Sequence, residues 1–253
     1  MGRILFITGT GTGVGKTVLT ALLLRHLQEQ GENALAMKPF CSGSRSDARL
    51  LHRLQSRDLG LEETNPYFFR LPLAPWVAAR QMALPQVPFK AVLQKTKNLA
   101  NRTKTLLIEG SGGLLAPLGD NYAAAELITA LDCESVVVAP NFLGTINHTL
   151  LTAKYLQSID AKGVRIVVMG VEKADQSSRS NVDAIRQLAG GIPVISVPFL
   201  GAGASKLTNL KQNAKKMKKT LAQVLGGANV VPFLPTGKSD CSTKSVDNWA
   251  LKR

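Results

Sequence analysis

The nine residues GTGTGVGKT, positions 9–17, follow directly on a short apolar run and lead into a helical pattern. A glycine-rich turn in that setting lets backbone N–H groups face a phosphate chain, and the new helix adds its positive end. Lys16 is spaced to reach β- and γ-phosphates, and the Thr17 hydroxyl to ligate magnesium. Gly13, Val14 and Gly15 complete the nucleotide-binding loop. A glycine turn without a ligand needs no Lys-Thr pair, so the loop points to a nucleoside triphosphate bound with Mg2+. One position departs from the general pattern: the usual first glycine of the motif is Thr10 here, and the glycine stands one residue earlier, at Gly9.

Three further segments carry groups that could act with that loop. In KPFCSGS, residues 38–44, a lysine closes an apolar run. Beside a phosphate loop a cation there can stabilise charge developing on a transferring phosphoryl group; alone, Lys38 would more often be a solvated lysine. Asp47, three residues further on, reads by itself as a helix N-terminal residue. In LLIEGSGG, residues 106–113, Glu109 ends an apolar run before a glycine-rich turn. In phosphate-loop enzymes an acidic residue so placed holds magnesium directly or through water; the alternative is a carboxylate that caps the turn. LGTINHT, residues 143–149, follows another apolar run. A helix starting there points free N–H groups outward, which suits a substrate carboxylate. His148 itself reads as a helix-start or packing residue.

The elements that would position these groups alternate. β-Branched-rich runs at 3–8, 105–108, 135–139, 165–169 and 193–197, with a weaker one at 34–37, read as strands. Segments 16–30, 89–100, 147–157 and 182–188 have helical spacing. Continuous rather than alternating apolar strands imply a parallel sheet covered on both faces. Strands separated by helices imply right-handed crossovers. The expectation is a single-domain α/β protein, a doubly wound, mostly parallel sheet of the P-loop NTPase type, with ligands beyond the carboxyl ends of the strands. Residues 59–88, rich in proline and aromatics, read as an excursion from the sheet. The boundary is drawn at residue 225, with 226–253 an irregular basic tail.

The chain has 253 residues and a net charge of +14. Ten Lys or Arg against two Asp from Ser205 onward supply much of that charge. A basic end can contact nucleic acid or be a solvated helix face; without interleaved aromatics or a recognition motif, nucleic acid is the lesser reading. Three scattered cysteines, Cys41, Cys133 and Cys241, fit neither a metal site nor a disulfide framework. With no secretory leader and no long apolar span, a cytoplasmic protein without membrane contact is expected.

Taken together, GTGTGVGKT, KPFCSGS, the Asp of RSDARLL, NPYFF, PLAPWVAA, EGSGGLLAPL, LGTINHTLLTAKYL and VPFL resemble dethiobiotin synthase, in that family's order over residues 4–200. The resemblance implies an ATP- and magnesium-dependent ligase that closes the ureido ring of dethiobiotin from 7,8-diaminononanoate and CO2 or bicarbonate. It implies that Lys16, Lys38 and Thr12 act on the phosphoryl and carbamate oxygens, and that Thr17, Asp47 and Glu109 hold Mg2+. Ser42 would bond the reacting end of the substrate. Gly110, Ser111, Gly112, Pro198, Phe199 and Leu200 would join the nucleotide site. The family is dimeric, so Gly144, Thr145 and Asn147 would serve the substrate's carboxylate tail across a homodimer interface.

Four departures stand out. Gly13 and Trp76 replace a common Glu and His, the segment 170–175 lacks an adenine-reading Asn-Asp pair, and residues 201–205 lack an acidic residue. Two other readings are a cobyrinate-type amide-forming ligase and a nucleotide-switched nucleic-acid binder. The first usually carries a glutaminase domain with a nucleophilic cysteine, for which there is no room. The second would want a partitioning-type lysine where Gly11 stands.

Overall fold

The structure is a computed structural model that describes residues 2–55 and 59–226. The chain opens with β1 (Arg3–Gly9), α1 (Lys16–Glu29), β2 (Ala34–Met37), the short β3 (Phe40–Ser42) and α2 (Ser46–Arg53). An excursion follows, made of α3 (Leu61–Thr64), β4 (Tyr67–Phe69) and α4 (Pro75–Gln81). The alternation then resumes with α5 (Phe89–Ala100), β5 (Thr105–Glu109), α6 (Ala124–Leu131), β6 (Glu134–Pro140), α7 (Thr145–Ser158) and β7 (Lys162–Met169). A 3-10 turn (Gln176–Arg179), α8 (Asn181–Leu188), β8 (Val194–Val197), α9 (Leu207–Lys216) and α10 (Lys218–Val224) complete it.

Six strands form one sheet in the order β2-β5-β1-β6-β7-β8, every pairing parallel. Alternate residues of each strand face opposite layers. Ile4, Phe6, Leu106, Ile108, Val137, Ile166 and Val168 pack with α5, α6, α7 and α8. Leu5, Ile7, Leu107, Val136, Val138 and Val167 pack with α1, α9 and α10. Both faces are covered, which explains why the strands read as continuous apolar runs. α1 lies behind the central strand and buries Leu19, Ala21, Leu22, Leu23, Leu24 and Leu27, nearly all of its circumference.

All six expected strands are present, and the four expected helices match within two residues at either end. Two short strands were not anticipated: β3 and β4 pair in parallel as a separate two-stranded sheet, Phe40 opposite Tyr67 and Ser42 opposite Phe69. Three-residue strands are below the length at which periodicity can be seen. The helix AAELITAL of α6 was also missed: its buried Ala124, Leu127, Ile128 and Leu131 do recur at helical spacing, but eight residues are a short window in which to see it.

Part of the basic end is now explained. Leu210, Ala214, Leu221 and Val224 of α9 and α10 face the core, and Lys206, Lys211, Lys215, Lys216, Lys218 and Lys219 are exposed. They form a solvated face. Apart from Gly226, the expected irregular tail lies outside the described residues. No described helix is long and apolar enough to cross a membrane.

Candidate active site

In a parallel sheet all carboxyl ends open on one edge, and the central strand β1 delivers the phosphate loop there. Thr10 does not break the strand's pairing, since its N–H donates to Val138 O at 3.0 Å. The displaced glycine has a steric reason. A Cβ on Gly9 would lie 2.8 Å from Val14 Cγ2 and 3.2 Å from Lys16 Cδ. Gly15 turns into α1 with φ 101°, in the left-handed region that side-chain-bearing residues avoid.

The neighbouring strands β2 and β5 deliver the other groups. Lys38 follows β2 and Glu109 ends β5, each almost fully buried. Glu109 Oε1 accepts from Lys38 Nζ at 2.5 Å and from Thr17 Oγ1 at 2.6 Å. Asp47, on the first turn of α2, lies 3.4 Å from Lys38 Nζ through Oδ2. Lys16 Nζ donates to Gly11 O at 2.6 Å and to Gly112 O at 2.8 Å, bridging the phosphate loop and the turn after β5. Ser111 Oγ donates to Phe40 O at 2.5 Å and ties that turn to β3.

The two lysines have opposite electrostatics. Burial lowers the Lys16 ammonium to a pKa of about 8, the Lys38 charge adds to that, and Glu109 and Asp47 only partly oppose it. Burial acts on Lys38 in the same direction, but its contacts with Glu109 and Asp47 outweigh it and hold Lys38 above the ordinary lysine value. Lys38 is therefore a fixed cation within a carboxylate pair. Lys16 carries the uncompensated positive charge, which an arriving polyanion would relieve.

These groups surround one cavity of about 650 Å3. Of the site residues expected from sequence, Thr12, Gly13, Gly15, Lys16, Thr17, Lys38, Ser42, Asp47, Glu109, Ser111 and Gly112 line it. Pro72, Leu73, Ala74 and Pro75 of the excursion form its far wall. On the other side of the loop a second cavity of about 330 Å3 is lined by Gly13, Val14, Gly15, Pro198, Phe199 and Leu200, with Gly170, Val171 and Glu172 after β7. Gly110 lines neither; it is buried behind the site, its N–H donating to Ile7 O at 2.9 Å. Gly144, Thr145 and Asn147 open α7 and line neither cavity within one chain.

Two oxygens at the site lack partners among the described residues: Glu109 Oε2 and Ser42 Oγ are buried without a hydrogen bond. Such atoms are costly unless a ligand completes them. Thr17, Asp47 and Glu109 make an all-oxygen donor set with two carboxylates, which suits a hard ion such as Mg2+ that keeps waters and phosphates as its remaining ligands. Cys41 lines the same cavity, but burial pushes its thiol up to about 11, the state of an inert cysteine.

Sequence reasoning missed Asn65. It is fully buried and donates through Nδ2 to Lys38 O at 2.8 Å and to Tyr67 O at 3.2 Å. Its Oδ1 accepts from Arg45 Nε at 2.9 Å. Asn65 thereby fixes the backbone from which Lys38 projects. Only its place in NPYFF marked it, without any indication of what it holds. Trp76 Nε1 donates to Asp120 Oδ1 at 2.8 Å, and the Arg80 guanidinium sits 4.6 Å from the centre of its ring, so this departure is accommodated on α4.

A family profile described as an AAA domain matches residues 3–202. The chain is 37% identical over 198 residues to the ATP-dependent dethiobiotin synthetase of Bacillus licheniformis, covering 76% of this chain and 83% of that one. It is 41% identical over 184 residues to the enzyme of the same name from an Anaeromyxobacter species, covering 71% and 81% respectively. Among solved structures, the cell division protein MinD of Aquifex aeolicus superposes with TM-score 0.57 at 16% identity, over 90% of this chain and 98% of that one. That likeness shows the P-loop NTPase fold. The chain belongs to the ATP-dependent dethiobiotin synthetases, ligases that form carbon–nitrogen bonds in biotin biosynthesis.

Proposed function

We propose that this chain makes dethiobiotin from 7,8-diaminononanoate, CO2 or bicarbonate, and ATP. One amine of the substrate combines with CO2 to form a carbamate. A carbamate oxygen attacks the γ-phosphorus of ATP, ADP leaves, and a carbamic–phosphoric anhydride results. The second amine attacks the carbonyl carbon, inorganic phosphate leaves, and the five-membered urea ring closes. The protein has to hold three reactants in line and neutralise growing charge.

The observation that carries this reading is the meeting of Lys16, Lys38 and Ser42 around one cavity with the Glu109–Thr17 pair on its lining. Lys16 stabilises the transferring phosphoryl oxygens, Thr12 assists from the loop, and Lys38, ionised at every working pH, faces the carbamate. Ser42 Oγ, without a partner among the described residues, bonds the reacting end of the substrate. Thr17, Asp47 and Glu109 are the residues that would hold Mg2+, which when bound neutralises phosphate charge. Gly13, Val14, Pro198, Phe199 and Leu200 take the base side of the nucleotide.

The substrate's carboxylate tail goes to residues 144–147 of a second copy, which explains why that turn lines neither cavity of its own chain. Phe142, Leu143 and Leu151 are exposed beside it and supply apolar surface for a homodimer. The setting is the cytoplasm, where ATP is available.

The test is nucleotide hydrolysis and product formation that require both 7,8-diaminononanoate and bicarbonate. Lys16→Ala and Lys38→Ala should each abolish product. A fully active Lys38→Ala enzyme would contradict the role given to that residue.

A further inference from the structure

The loops that leave β6 and β7 share a hydrogen-bonded seam. Asn141 Nδ2 donates to Ser178 O at 2.9 Å, and Ser178 Oγ returns a bond to Asn141 O at 2.8 Å. Asn181, itself buried, donates to Asn141 Oδ1 at 3.0 Å and to Phe142 O at 3.2 Å. Asp175 divides its two oxygens between the loops. Its Oδ1 accepts from Ser177 Oγ at 2.5 Å and Ser178 N at 3.2 Å, which caps the 3-10 turn. Its Oδ2 crosses to the other loop and accepts from Leu143 N at 2.8 Å.

Leu143 immediately precedes the turn that opens α7. Burial does not anchor it, because the Leu143 side chain is 76% exposed and that of Phe142 40%. Locally the turn is closed by the bonds from Phe142 N to Pro140 O and from Thr145 N to Phe142 O, each at 3.1 Å. Thr145 is buried and Ile146 packs on the core, which anchors the helix side of the turn. The projecting Leu143 side takes its orientation from hydrogen bonds, and those to an ionised acceptor are the strong ones. The bonds from Ser177, Leu143 and Ser178 together hold the Asp175 carboxyl below its usual range, so it is ionised at neutral pH. Asp175 also lies apart from the base-side cavity.

We propose that Asp175 is a positioning residue that sets the orientation of the α7 turn, and thereby the affinity of the enzyme for the carboxylate end of its substrate. This rests on the reading that residues 144–147 receive that carboxylate. The split between the two oxygens makes the role separable. Asp175→Asn with its remaining oxygen toward Ser177 and Ser178 keeps the cap, and sets an NH2 donor against the Leu143 N–H. Ser177→Ala removes a partner of the cap and one acceptor of Asn181 Nδ2, at 3.1 Å, and leaves the bond between Asp175 and Leu143 N intact.

The experiment measures steady-state kinetics of the full-length enzyme with 7,8-diaminononanoate and with its methyl ester. Asp175→Asn should raise KM for the free acid about tenfold, the order expected for one lost charge-assisted hydrogen bond. Its kcat and its KM for ATP should stay within about twofold of wild type, its KM for the ester should not move, and Ser177→Ala should behave as wild type. An unchanged KM for the acid in Asp175→Asn, when Asn147→Ala raises it, overturns the positioning role and leaves the carboxylate turn standing. A parallel rise for acid and ester in Asp175→Asn also overturns it, as the mark of a merely structural residue. A wild-type enzyme that treats acid and ester alike overturns the reading of residues 144–147 itself.

Discussion

Lys16 should be a residue that the enzyme needs and that its fold would be better without. Lys16 is 6% exposed, and its pKa falls from 10.5 to about 8. At 1.36 kcal/mol per pH unit, the native site is about 3 kcal/mol less favourable to the protonated lysine than water is. Lys16→Met keeps an unbranched side chain and removes that cost. It also frees Gly11 O and Gly112 O, but both residues border the cavity and water can reach them, so the loss is about 1–2 kcal/mol. The variant should therefore be about 1–2 kcal/mol more stable at pH 7, a rise in Tm of about 3–6 °C for a chain of this size. The sign follows from proton counts. Below pH 8 both folded and unfolded wild type carry the proton, and the full cost applies. Between pH 8 and 10.5 the unfolded chain binds more protons than the native one, so wild type gains stability as pH rises. By pH 10 less than about 1 kcal/mol of the cost remains, and the order of the two proteins should reverse. The assay is thermal unfolding by circular dichroism at pH 7 and pH 10, without nucleotide and with chelator, beside a product assay in which the variant is inactive. A variant less stable than wild type at pH 7, or an advantage that does not change with pH, would refute the reasoning.

Three other outcomes are expected. Asn65→Ala leaves Lys38 O and Tyr67 O without their buried donor; it should cost about 2–3 kcal/mol by denaturant titration and lower kcat at least about tenfold as Lys38 shifts. Gly9→Ala sets a methyl 2.8 Å from Val14 Cγ2 under the phosphate loop; KM for ATP should rise at least about fivefold with the circular dichroism spectrum unchanged. Among the described residues, the base-side cavity offers only Glu172 and Ser205 as polar side chains. Cavities so lined discriminate weakly, so kcat/KM for GTP and CTP should lie within about tenfold of that for ATP, and a strong preference for ATP would show that backbone groups read the base.

The sequence by itself determined the sheet and the phosphate half of the site, because both are local. A run such as Leu106-Leu107-Ile108 declares a strand through its own residues, and GTGTGVGKT declares its ligand through backbone geometry and two side chains close in sequence. The meeting of Thr17, Lys38 and Glu109 was legible only as three strand ends that ought to share an edge. Tertiary structure decided what each of them does in the resting site. The Lys38–Glu109 pair spans 71 positions and Thr17–Glu109 spans 92, and whether burial or ion pairing prevails at a lysine depends on that assembly. Asn65 and Asp175 show the same limit. Asn65 was only part of a motif and Asp175 only the last residue of a segment without a base-reading pair, until their hydrogen bonds to Lys38 O and Leu143 N were visible. The phosphate loop needed no such context. Its chemistry is carried by neighbours in the chain, whereas theirs depends on loops that only the folded sheet brings together.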